Sequence, residues 1–139
     1  MNVFSRRSWK LDHVGHAVEN LDAATSLYRE KFGFALDSKE TLKEHQVEVG
    51  FFRAGDTLIE LLAPLAGNKI LKNFLAARGP GLHHICFRVD SVSAELRTLA
   101  VEGFRLIDTE PRLGSRNMHV AFLHPSSCEG VLVELCGNA

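Results

Sequence analysis

Two histidines and two glutamates carry the chemistry this sequence offers. His13 and His84 each stand early in a short apolar run, and Glu60 and Glu134 each interrupt a strand-like run, "LIELL" and "VLVEL". Residues two apart in a strand share a face, so Glu60 lines up with Leu58 and Leu62, and Glu134 with Leu132 and Cys136. A carboxylate on an apolar face is costly unless it is paired or bound to a metal. One such glutamate is explained simply by a solvent face or a sheet edge. The same interruption twice, each time with a histidine in an earlier strand, argues for a built site. Two imidazoles and two carboxylates meeting in one cleft suit a divalent cation of borderline hardness.

The pairing of these residues rests on an internal repeat. "LDHVGHAVENLDAATSLYREKFGF" from Leu11 aligns with "LHHICFRVDSVSAELRTLAVEGF" from Leu82 at a constant offset of 71. Leu11 meets Leu82, Val14 meets Ile85, and His13 meets His84. Later, "VEVGFFRAGDTLIELLAP" aligns with "HVAFLHPSSCEGVLVELCG" at an offset of 74, and Glu60 meets Glu134. The repeat also separates the adjacent histidines of "GLHHICFRV": His84 takes the ligand position, and His83 matches Asp12 on the outward or supporting side. His16 has the parity opposite to His13 and reads as structural. His45 and His119 lie near loop or strand ends, and His124 in "FLHPSS" suits turn packing or a cleft wall. Glu48, in the alternating "VEV", reads as a surface residue unless its strand curls around a metal.

Each copy therefore predicts a β-α-β-β-β unit too small to bury its own sheet face, so the two must share one fold. The first helix is expected over about 22–32, ending at Gly33, and the second over about 91–102, ending at Gly103. Ser91 offers a plain N-cap there, since Glu95 misses the capping-box spacing. Gly55–Asp56 marks a turn between strands. "NKILKNFLAARGPG" predicts a connector helix over about 69–77, broken by Gly79-Pro80-Gly81. The organisation expected is an N-terminal extension over 1–10 and a single domain over 11–139, with module one at about 11–65 and module two at about 82–136.

Composition narrows the partners. Sixteen basic residues against seventeen acidic ones leave a net charge of −1, which argues against nucleic acid as the main ligand. Three cysteines with no C-x-x-C pair argue against a disulfide framework and for a reducing compartment. No apolar run reaches membrane-spanning length and the start has no signal-peptide h-region, so the expected location is cytoplasmic.

The runs "LDHVGHAVENLDAA", "GDTLIELLAPL", "GLHHICFRVD" and "FLHPSSCEGVLVEL" resemble the vicinal oxygen chelate superfamily (glyoxalase, bleomycin resistance and dioxygenase proteins), and within it the methylmalonyl-CoA epimerases. The resemblance covers about Leu11 to Cys136. It implies an α+β fold in which two tandem βαβββ modules form a curled mixed sheet around a metal cleft. It further implies His13, Glu60, His84 and Glu134 as ligands of a divalent metal ion (Co, Mn, Zn or Ni), with Glu48 and Glu134 as catalytic acid/bases. An acyl-CoA substrate, a place in propionate metabolism and a homodimer are implied with it. "HPSS" stands where the family commonly has "HPKS", and the loop "LGSRNMHVAF" keeps Gly114 and Arg116. A glyoxalase I-type lyase would use the same ligands, and a metal-free antibiotic-binding protein would need none of them.

Overall fold

Alternation of buried and exposed side chains, broken by turn residues, produces eight strands and three α-helices in the computed structural model, which describes residues 7–139. In chain order these are β1 Lys10–Ala17, α1 Leu21–Ser26, β2 Leu36–Leu42, β3 Val47–Ala54, β4 Thr57–Pro64, α2 Lys69–Arg78, β5 Gly81–Ser91, α3 Val92–Val101, β6 Arg112–Leu113, β7 His119–Leu123 and β8 Val133–Asn138. Each half thus has the order β-α-β-β-β, with α2 as the connector. The strands form one mixed eight-stranded sheet in the order β2-β3-β4-β1-β5-β8-β7-β6. This is the fold class expected from the repeat.

Helix ends follow the local chemistry. Asn20 accepts from the Ala23 N–H at 2.9 Å, so α1 starts one residue earlier than expected. Its last turn widens into a π-helical turn, Leu27–Lys31, which sequence periodicity did not show. That turn carries the buried Tyr28, whose ring stacks on Phe52 with centroids 5.4 Å apart. Ser91 caps α3 through the Ala94 N–H at 3.2 Å, and Gly33 and Gly103 follow the helices with φ of 80° and 93°, a left-handed turn glycine enters freely. Asn68 caps α2 through the Leu71 N–H at 2.9 Å. No helix among the described residues is long and apolar enough to cross a membrane.

Contacts divide the described residues into two compact units, one of residues 13–85 and one of residues 86–139 together with residues 7–12. In the first, β1 pairs with β4 in parallel while β2, β3 and β4 form an antiparallel meander. Val49, Phe51, Leu58 and Leu62 pack with Leu71 and Leu75 of α2. Leu21 and Tyr28 pack with Phe52, Leu61 and Ala63 in a separate cluster. In the second unit β6, β7 and β8 are antiparallel, and Val92, Leu96 and Leu99 of α3 are buried. Residues 1–6 of the expected extension lie outside the described residues. The remainder is packed: Arg7 forms an ion pair with Glu102 at 2.7 Å, and Trp9 meets Phe87 with ring centroids 5.6 Å apart.

Candidate metal centre

The first unit brings three of the four expected ligands together. His13 on β1 pairs across the parallel ladder with Leu58, and Glu60 on β4 lies opposite Phe51 of β3. These registers put the imidazole and the carboxylate on one face, among the side chains of the α2-side core. His84, near the start of β5, completes the group. His13 Nε2 and His84 Nε2 are 3.1 Å apart, and Glu60 Oε1 lies 3.6 Å from the first and 3.2 Å from the second. All three residues are buried, at 2%, 5% and 6% exposure.

The donor set fits a divalent ion. Nitrogen and oxygen donors about 2.0–2.2 Å from one ion stand about 3.0–3.5 Å from each other, which is close to the separations here. The three atoms belong to buried groups from three strands, within a surround of Phe51, Leu58 and Leu62. The edge of the His13 ring packs on Phe51 with centroids 5.5 Å apart, which fixes its plane. Desolvation makes a bare carboxylate expensive in such a place, whereas a cation bound by all three groups offsets that cost.

His84 is held from behind. Its Nδ1 lies 2.8 Å from His83 Nδ1. For His84 Nε2 to offer a lone pair to a cation, its Nδ1–H must donate to His83 Nδ1, and this contact supplies the acceptor. Phe74 of α2 packs edge-on against His83 with centroids 4.8 Å apart. The connector helix therefore helps to orient a candidate ligand through its neighbour. Alternation along a strand separates the two side chains at Cβ, but the ring nitrogens still meet.

The remaining expected residues are placed differently. Glu134, on β8 in the second unit, is buried opposite Phe122, and Cys136 follows two positions later. Burial pushes the Cys86 thiol well up, and a hydrogen bond with Cys136 and the charge of Glu134 push it further. Glu48 is half-buried on β3 opposite Ala63 and Thr41, in an unbroken register that sets Phe51 against Glu60. An odd number of positions separates Glu48 from Phe51, so Glu48 leaves the strand on the face opposite to Glu60. His16 Nδ1 meets the Tyr28 hydroxyl at 2.9 Å and is structural; burial lowers its pKa. His124 accepts from the Ser126 N–H at 3.0 Å, which is the turn-packing role. His45 lies in a turn, and His119 opens β7.

One pair escaped the sequence reading. Arg116 donates to the buried Asp12 carboxylate, and Arg88 stands 4.0 Å from the same residue. Burial alone would lower the Arg116 pKa, but the hydrogen bond and charge of Asp12 outweigh it and the net shift is upward. Arg116 and Asn117 adopt left-handed φ of 55° and 57°. Asp12 anchors this turn from the chain position next to the candidate ligand His13. The partners are 104 residues apart; the only local signal was the "GSRN" turn chemistry.

Comparison with known proteins places the chain among close relatives. Residues 12–122 match the family model of the Glyoxalase/Bleomycin resistance protein/Dioxygenase superfamily. The chain is 40% identical over 131 residues to the mitochondrial methylmalonyl-CoA epimerase of Mus musculus, covering 91% of this chain and 74% of the relative. It is 37% identical over 128 residues to the ethylmalonyl-CoA/methylmalonyl-CoA epimerase of Cereibacter sphaeroides, covering 91% and 96%. Its fold matches a solved methylmalonyl-CoA epimerase in complex with methylmalonyl-CoA and NH4+ at a TM-score of 0.88 and 34% identity, covering 94% of each chain.

Proposed function

The chain belongs to the glyoxalase/bleomycin resistance/dioxygenase superfamily, and we propose that it interconverts (2R)- and (2S)-methylmalonyl-CoA by moving the proton at C2. The observation that carries this reading is the buried His13–Glu60–His84 group, with donor atoms within 3.6 Å, in a chain alike over most of its length to methylmalonyl-CoA epimerases.

We assign the metal ligands as His13, Glu60, His84 and Glu134, the fourth supported by the repeat and by its burial on β8. When bound, a divalent ion supplies Lewis acidity that lowers the cost of enolate charge on the substrate. To hold the ion, His13 and His84 would present neutral imidazole nitrogens, and the His83 contact would set the tautomer of the second. Glu60 would contribute negative charge; it lies opposite Phe51 and shares its strand face with the buried Leu58 and Leu62. Inversion at C2 needs one group to take the proton and another to return it on the opposite face. Glu134 is the proposed acid/base on one face. The family resemblance implies Glu48 as the partner, but its register directs it away from the face of Glu60, so its role rests on the Glu48→Gln test and not on the geometry.

The test is solvent deuterium uptake at C2 of methylmalonyl-CoA with metal-reconstituted protein. Uptake with epimerisation is expected; no exchange in the metal-loaded protein overturns the reading. Metal analysis with Co, Mn, Zn and Ni identifies the ion. Glu48→Gln then decides its role. As an acid/base it loses about 100-fold or more of turnover, with exchange from one epimer suppressed more than from the other; equal, near-normal exchange from both removes it from the mechanism. We also propose a cytoplasmic homodimer, as in the family it resembles, which sedimentation and cell fractionation test.

A further inference from the structure

Gly15 sits in the middle of β1, between His13 and Ala17 on the face that carries the metal group, and it pairs with Glu60 across the parallel ladder. A β-carbon built at this position would stand 2.2 Å from His84 Cε1, 2.4 Å from Nδ1 and 2.8 Å from Nε2. Side-chain atoms do not approach a ring this closely. The His84 imidazole therefore lies directly on the bare backbone of β1 at Gly15. The φ angle of Gly15 is not in the left-handed region, so any residue could adopt its conformation. Space is what the position demands of the residue.

The ring cannot easily give way. On its other sides it is held edge-on by His13, with centroids 5.2 Å apart, by the Nδ1 contact with His83 at 2.8 Å, and by the Glu60 carboxylate at 3.2 Å. Moving it off Gly15 breaks at least one of these contacts. Glycine inside a strand weakens the strand and often marks a close approach; here the approaching group is a proposed metal ligand. At the offset of 71, the matching position in the second copy is Cys86, which carries a β-carbon. The empty cradle is thus a feature of the first half alone.

We infer that Gly15 is a positioning residue: its missing side chain is what allows His84 Nε2 to stand within donor distance of His13 and Glu60. The inference rests on the metal reading of this group proposed above, but it concerns the ring itself and can be tested with and without metal. In the metal-free protein, Gly15→Ala is expected to shift the His84 imidazole resonances in nitrogen NMR while the protein keeps its cooperative unfolding. In competition against a chelator with the ion that loads the wild type, affinity is expected to fall about 10- to 100-fold, the range seen when a group orienting a ligand is lost. In a His84→Ala background the added methyl has room, so Gly15→Ala is expected to leave the thermal midpoint unchanged.

Unmoved His84 resonances with wild-type metal affinity in Gly15→Ala overturn the inference. If Gly15→Ala alone does not fold, the double variant decides. Recovery of folding in Gly15→Ala/His84→Ala supports the cradle, and failure there shows that Gly15 serves only the strand. A wild type that binds none of the four metals overturns the metal reading, while the NMR comparison still decides the placement of His84.

Discussion

In the first half, β2, β3 and β4 run for seven, eight and eight residues; in the second, β6, β7 and β8 run for two, five and six. The first half closes its strands with the short turn at Gly55 and the helix α2. The second replaces much of its first hairpin with a loop whose left-handed turn at Arg116 and Asn117 is tied to Asp12. Both halves nevertheless place a histidine in the opening strand and a buried glutamate in the last. The repeat has kept these two histidines and two glutamates in matching places while its strand lengths have diverged. The first half holds His13 and Glu60; the second holds His84, the buried Glu134 and a tethered loop.

That division can be broken most sharply at the two glutamates. Glu134→Gln is expected to lower turnover by about 1,000-fold or more, in line with loss of a general acid/base, and excess metal will not restore it. Glu60→Gln keeps an oxygen donor, so its loss is expected to be smaller and to recover as metal is raised. Equal and equally rescued losses, measured as turnover against metal concentration, would make the halves chemically equivalent after all.

Next in size is Asp12→Asn. Removing one partner of a fully buried ion pair costs about 3–5 kcal/mol; with Arg116 partly exposed, about 2–3 kcal/mol is expected in urea unfolding. The loop should also become more open to protease, while metal affinity changes little. A larger change in metal affinity than in stability would show that Asp12 serves His13 rather than the loop.

His83→Ala is expected to weaken metal binding about tenfold, the lower end for loss of a group behind a ligand; His83→Gln, which retains an acceptor, is expected to recover most of it. Metal competition reads both. His84→Ala should abolish the site.

The smallest effect concerns His16. Burial lowers its pKa, so the folded protein binds its proton less readily than the unfolded chain. Stability from this group is full above the unfolded pKa of about 6.5 and is lost as pH falls from there through the lower folded value. Thermal midpoints of His16→Phe should therefore show a weaker decline below about pH 6.5 than the wild type.

Much of this was legible in the sequence because duplication wrote it twice. His13 with His84 and Glu60 with Glu134 stood out by offset, and helix ends at Gly33, Ser91 and Gly103 follow from local chemistry. Contacts made across the fold were not legible. Asp12 and Arg116 meet through a turn whose position depends on the β7 and β8 pairing. His83 takes the supporting one of the two roles expected for it, its ring nitrogen meeting that of His84 although the two side chains leave the strand on opposite faces. The orientation of Glu48 depends on a ladder register that a "VEV" pattern cannot set. The π-helical turn at Leu27–Lys31 arises where Tyr28 packs into the core, a tertiary demand that helical periodicity does not record.

The parallel pairing of β1 with β4 has a consequence for how binding and folding are joined. His13 and Glu60 become neighbours only after the intervening β2–β3–β4 meander has formed and closed back on β1. The donor group is therefore absent from the unfolded chain, and an ion that binds it draws the whole unit toward the native state by mass action. A core substitution far from the imidazoles, such as one at Phe52 or Leu61, will consequently register as a weaker apparent metal affinity once it populates the unfolded chain, even with every ligand intact.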